Sequence, residues 1–331
     1  MAVISMFGKS AWKQCRILLP EPEDDRILLA SRMAKDKGFA IPILVGNRKA
    51  IGKIAKRLRI KVSDIEIIDI SKGVGKRYIK EYSRIRKVPK QLAERMLENP
   101  LFLSALLVKM GEADAMVAGA VFTSADVITA SEGIIGLKKG VSVPSSFFIM
   151  EIPRYSGGEK GLLLFADSSV NIDPNPEQLA DVAITTANTA KELMGWIPRV
   201  AMLSFSTKGS AIHPKADKVI SATRIANRKA PNLFIDGELQ GDSALVEKTA
   251  IKKMKGKIGD VAGRANVLIF PDLDSGNISY KLVQTLAGAN AYGPILQGFN
   301  RPISDLSRGA KPEDIVGTIA ILSTWAKRMK K

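Results

Sequence analysis

What most constrains the fold of this chain is a repeated alternation, in which short apolar runs of strand length are each followed by a stretch with helical spacing. Arg16–Leu19 precedes a helical pattern over 24–37, the run 41–45 leads into a basic helix at Arg48–Leu58, and 65–70 reads as a third strand. Strands separated by helices pair in parallel through crossover connections, which predicts an α/β fold. A longer helical stretch covers 90–110, with Leu92, Met96, Leu103 and Leu107 among its regularly spaced apolar residues and a break predicted near Pro100. Ala115–Ala118 then ends in the small residues Gly119 and Ala120, and a helix opens near Thr123.

The rhythm changes between 140 and 161. The stretch 146–152 is dense in β-formers, and 154–160 supplies the Gly-rich connection of a hairpin. Alternation resumes with Leu162–Ala166, a helix over 176–194 entered through Pro176, and apolar runs at 200–204, 267–270 and 294–296. A last helix is predicted from Pro312 to about Arg328. With 331 residues the chain is long for a single core, and two α/β domains with a boundary near 143 are expected. The final helix stands apart from the second domain's strands, which hints that the chain crosses back to the first.

Composition removes whole classes of function. Hydrophobic residues make up 46% and charged residues 25%, the balance of a globular protein. No apolar run approaches the roughly 18 residues of a membrane helix, and the N-terminus has no secretion-signal pattern, so a cytoplasmic protein is expected. A single cysteine, Cys15, allows no internal disulfide and no cysteine-rich metal site, and a single histidine, His213, argues against a histidine-based zinc site or a serine–histidine triad. The net charge of +17 suits anionic partners, but Lys and Arg are dispersed and aromatics are only 6%, without the interleaving of a single-strand binder. Small polyanions fit better than nucleic acid, and much of the charge reads as solubilising surface.

Three loops follow strand-like runs and are rich in Gly, Ser and Thr. The first is AGAVFTSAD (118–126), where Thr123 or Ser124 can cap the next helix and where a helix N-terminus can receive a phosphate. An ordinary strand–helix turn has the same composition. The second is LSFSTKGS (203–210), in which Ser206, Thr207 and Lys208 make either an anion cradle or a plain polar loop. The third is GPILQGFNRPISDLSRGAKPED (293–314).

Taken with ADAMVAG (113–119), FADSSVN (165–171), PRVAMLS (198–204) and FPDLDSGN (270–277), the third loop resembles the phosphotransacetylase family, in order from about residue 113 to the C-terminus. The resemblance implies two three-layer α/β domains with a cleft between them, as in the isocitrate and isopropylmalate dehydrogenases. One domain would be built from 1–143 plus 297–331, and 144–296 would be inserted. It also implies a homodimer and the reversible reaction acetyl-CoA + phosphate to acetyl phosphate + CoA. Coenzyme A, acyl phosphate and inorganic phosphate would be its partners, with no cofactor or metal. A butyryl- or propionyl-transferring enzyme, or a non-catalytic relative that binds coenzyme A, are the alternatives.

The chemistry implied is attack of a thiol on an acyl phosphate carbonyl. A thiol with a pKa of about 8.5 is only slightly ionised at neutral pH, so a positioned base helps. By resemblance Asp314 is that base, Ser307 hydrogen-bonds the developing oxyanion, and Arg308 holds the phosphoryl group with its planar fork. Asp314 also falls in the first turn of the last helix, where an acid commonly serves as a cap. Arg86, Thr123, Ser124, Ser206, Thr207, Lys208 and Asn277 are the substrate-binding candidates. Two departures stand out. The family's Arg-Pro after its Thr-Thr-Ala-Asp pattern is Thr129-Ala130 here, and its Leu-Arg-Lys segment is matched by Ile85-Arg86-Lys87 with Arg84 alongside. Lys208 is the candidate to supply the missing cation.

Overall fold

The computed structural model describes residues 15–329, so most of the N-terminal stretch read for a secretion signal lies outside the described residues. In chain order the strands are β1 (Arg16–Leu19), β2 (Ile41–Gly46), β3 (Glu66–Asp69), β4 (Ala115–Ala118), β5 (Ser145–Glu151), β6 (Leu162–Ala166), β7 (Arg199–Leu203), β8 (Phe234–Leu239), β9 (Val267–Ile269), β10 (Asn290–Gln297) and β11 (Ile303–Asp305). The chain forms two compact units, one of residues up to Lys138 together with Phe299 onward, the other Lys139–Gly298. The edges expected from sequence lay at 143/144 and 296/297.

In the first unit the strands run β3-β2-β1-β4-β11, and every pairing is parallel. Ile17, Leu18 and Leu19 are fully buried, as are Ala115, Met116, Val117 and Ala118, which is why these strands read as unbroken apolar runs. Parallel pairing puts all five carboxyl ends, at Leu19, Gly46, Asp69, Ala118 and Asp305, on one edge of the sheet, where open α/β sheets place their binding loops. The predicted helix over 90–110 is two helices, Lys90–Leu97 and Pro100–Lys109. Pro100 sits in the first turn of the second, whose cap, Asn99, accepts a hydrogen bond from Leu101 N at 2.9 Å. The last helix, Pro312–Met329, belongs to this unit and packs on the helix Asp25–Asp36, burying Ile315, Ile319, Leu322 and Trp325.

The second unit has strand order β10-β5-β6-β9-β7-β8. The β5–β6 and β5–β10 pairs are antiparallel, and the pairs through β9, β7 and β8 are parallel. Its core includes Phe148 stacked on Tyr280 with ring centroids 4.1 Å apart, and Phe165 against Phe270 at 5.1 Å. Among the described residues no helix is long and apolar enough to cross a membrane.

Candidate active site

The loop that follows β4 is held from below by an acid. Glu21, two residues after β1 and only 6% exposed, accepts hydrogen bonds from Ala120 N (3.0 Å), Val121 N (2.7 Å) and Phe122 N (2.7 Å). These three amides, which precede the helix start at Ser124, are therefore already satisfied inside the protein. Thr123 is the N-cap of the helix Ser124–Ile134 and forms a reciprocal capping box with Asp126, each side chain bonding the other residue's backbone N–H.

Beside this loop lies the carboxyl end of β11. Asp305 pairs in register with Ala118, and Leu306 N donates to Ala118 O at 2.6 Å. The Asp305 side chain is 2% exposed, and its Oδ1 has no hydrogen-bond partner. Burial pushes its carboxyl up. A hydrogen bond from Ser124 and the charge of Arg308 pull it down, the charge of Glu21 pushes it up again, and the result is about 6.

The segment after β11 carries the three residues expected to do chemistry. Ser307, Arg308 and Asp314 are all exposed to solvent. Ser307 Oγ accepts from Gly309 N at 3.4 Å, and Asp314 Oδ2 accepts from Lys311 N at 3.0 Å across the first turn of the last helix. Asp314 therefore does make the helix-capping bond, and the residue as a whole is exposed. Arg26, from the first helix, donates to Arg308 O at 2.5 Å, to Ala310 O at 3.3 Å and to Ala120 O at 3.0 Å, tying this segment to the loop after β4.

Arg86 ends the helix Lys76–Arg86 and donates from Nη1 to Gly133 O at 3.1 Å. A methyl group on Gly133 would lie 2.2 Å from that nitrogen, so the guanidinium occupies the space a side chain would take. Arg84, the other arginine of this segment, is paired with Glu81. Thr129 is exposed on the helix Ser124–Ile134. A cavity of about 460 Å³ opens at the carboxyl ends of β1, β2 and β4, walled by Pro20, Pro22, Val45, Val121 and Phe122 and rimmed by Glu23 and Asp24.

The remaining candidates lie in the second unit. Ser206 Oγ donates to the buried Glu238 at 2.9 Å, and Gly209 N donates to the same carboxylate at 2.7 Å, so here too a buried acid shapes the loop. Thr207 Oγ1 bonds the Gln240 side chain at 3.2 Å. Lys208 pairs with Asp236 and donates to Gly237 O at 2.7 Å, so its charge is already matched by a neighbouring carboxylate. Asn277, on the helix Leu273–Ala287, donates to Ser168 O at 3.1 Å.

The sequence pattern of the phosphate acetyl/butaryl transferase family matches residues 4–323. The chain belongs to that family. A phosphate acetyltransferase of Thermoanaerobacterium thermosaccharolyticum is 46% identical over 332 residues, covering 99% of this chain and 100% of the relative. Among solved structures, a phosphotransacetylase from Streptococcus pyogenes superposes with a TM-score of 0.89 at 38% identity, covering 98% of both chains. A 4-hydroxythreonine-4-phosphate dehydrogenase from Klebsiella pneumoniae, at 12% identity and a TM-score of 0.56 over 96% of this chain and 98% of that one, shares the fold alone. The α/β fold is thus shared by these transferases and by that dehydrogenase.

Three members of the site escaped the sequence reading, namely Glu21, Arg26 and Asp305. Asp305 lies inside the motif that carried the resemblance, in a three-residue strand that its own residues do not announce. Glu21 and Arg26 act on loops about a hundred or more positions away in the chain, and no local pattern marks them. Among the described residues no group of three or more His, Cys, Asp or Glu side chains is arranged to hold a metal ion.

Proposed function

We propose that this chain is a phosphate acetyltransferase, acetyl-CoA + phosphate to acetyl phosphate + CoA in either direction. The observation that carries this reading is full-length similarity to phosphate acetyltransferases, joined to an Arg308 whose backbone is fastened in place while its side chain is exposed. In the direction of thioester formation the coenzyme A sulfur attacks the acetyl carbonyl. Asp314 takes the thiol proton, Ser307 donates to the oxyanion, and Arg308 holds the phosphoryl group in two parallel hydrogen bonds. The carbon–oxygen bond to phosphate then breaks, and the proton leaves with the phosphate. Arg86, Thr123, Ser124, Ser206, Thr207, Lys208 and Asn277 belong to the same reading as substrate-binding residues.

Coenzyme A, acetyl phosphate and inorganic phosphate are its partners. A homodimer working in the cytoplasm completes the reading. The test is Arg308→Lys, which keeps the charge and removes the planar fork. A large loss of turnover with acetyl phosphate and with phosphate, at unchanged thermal stability, is expected. Near-normal kinetics in that variant would remove Arg308 from the site.

A further inference from the structure

Arg26 makes five hydrogen bonds from its three guanidinium nitrogens, as many as the group has N–H donors. Nε and Nη2 donate to the two oxygens of Asp24 at 2.9 and 2.8 Å. Nη2 also donates to Ala120 O at 3.0 Å, and Nη1 donates to Arg308 O at 2.5 Å and Ala310 O at 3.3 Å. No donor is left over for a ligand. The side chain is about a quarter exposed (28%), so these bonds are only partly screened by water.

The partners identify what the group does. Asp24 is the N-cap of the helix that carries Arg26 and also accepts from Arg26 N at 2.8 Å, so its carboxylate is fixed to the backbone and in turn fixes the guanidinium plane. The other acceptors are three main-chain carbonyls on two different loops. One of them, Ala120, has its N–H taken by Glu21, so this residue is held from both sides. The other two flank the turn at Gly309, one being the carbonyl of Arg308 itself. A turn that is exposed at Ser307, Arg308 and Gly309 would otherwise have only its own short-range bonds to define it.

We propose that Arg26, aligned by Asp24, is a positioning residue for the transfer reaction: it sets the backbone of the Arg308 turn against the loop after β4, and so aims the Arg308 side chain at the phosphoryl group. The inference rests on the reading of Arg308 given above. A lysine at position 26 supplies charge but can reach neither loop while also meeting both Asp24 oxygens, so the carbonyls of Arg308 and Ala120 lose their common donor.

A double-mutant cycle with Arg26→Lys and Arg308→Ala tests it, read out as steady-state kinetics of acetyl-CoA with phosphate, with thermal unfolding of each variant alongside. Arg26→Lys alone is expected to lower kcat/KM for phosphate by about tenfold or more, mostly through the KM for phosphate, with the KM for acetyl-CoA little changed. In the Arg308→Ala background the same change is expected to do almost nothing further, because the side chain being aimed is gone. Equal fold losses in both backgrounds, or no loss with Arg308 present, would overturn the inference. If Arg308→Ala alone matches the unaltered protein, it is the reading of Arg308 that fails. Should Arg26→Lys not fold, Asp24→Asn, which frees the guanidinium to rotate, carries the same cycle with a smaller loss expected and the same outcomes overturning it.

Discussion

Gly119 lies so close to Asp305 that a methyl group on the glycine would sit 2.3 Å from Asp305 Oδ1 and 2.5 Å from Leu306 N. The backbone of Gly119 is also left-handed, with φ at +105°, which side chains rarely adopt. The exit of β4 and the exit of β11 are thus packed backbone to backbone, and the loop after one cannot move without the segment after the other.

Gly119→Ala is therefore expected to destabilise the protein by about 3 kcal/mol or more, combining an unfavourable backbone angle with a steric conflict against a buried carboxyl and a main-chain amide. Chemical denaturation checks it. A loss under about 1 kcal/mol would mean that the two loop exits are free to separate.

The Asp305 carboxyl gives a pH signature. Its value in the folded protein, about 6, lies above the ordinary 3.8. The folded state therefore binds its proton more tightly than the unfolded chain. Between those two values folding is coupled to proton uptake, so stability falls as pH rises through the window. Above it the cost is complete and on the order of 3 kcal/mol. Asp305→Asn removes the charge, and the variant should be more stable than the unaltered protein at about pH 8, with the gain fading toward pH 4. Denaturation curves at several pH values decide this. A variant that is less stable at the higher pH would show the carboxylate to be held ionised, with Arg308 outweighing burial.

Asp314 carries two roles that one substitution separates. Its bond to Lys311 N is a cap that asparagine's side-chain oxygen can still make. Asp314→Asn should then cost less than about 1 kcal/mol of stability, while turnover falls by about 10² or more if the carboxylate takes the thiol proton. Full turnover with normal unfolding would leave Asp314 as a helix cap alone.

Much of the fold was legible because burial on both faces leaves a plain mark. β4 and β6 are uninterrupted apolar runs, β1 is one after its opening Arg16, and all three emerge with the limits read from sequence. β8 was not read. Its FIDGEL stretch carries Asp236, Gly237 and Glu238, which look like a turn, yet Glu238 is 2% exposed because the Ser206–Gly209 loop supplies its partners. β11 is three residues long and is specified by its pairing with β4 rather than by its own pattern. The site divides in the same way. Ser307, Arg308 and Asp314 share one short segment and could be read as a motif. Arg26 bonds a carbonyl 282 positions further along the chain, a relationship that exists only after folding. The amides of Ala120, Val121 and Phe122 are committed to Glu21, which reaches them from the end of another strand.

Acetyl transfer between phosphate and coenzyme A is measured most directly as thioester formation by the purified chain from coenzyme A with acetyl, propionyl or butyryl phosphate, followed as loss of free thiol. The expected result is turnover that is fastest with acetyl phosphate, that reverses when acetyl-CoA and phosphate are supplied instead, and that collapses in Arg308→Lys. Thiol consumption no faster than the uncatalysed rate with all three acyl phosphates, in a protein that unfolds cooperatively and is therefore intact, would contradict it.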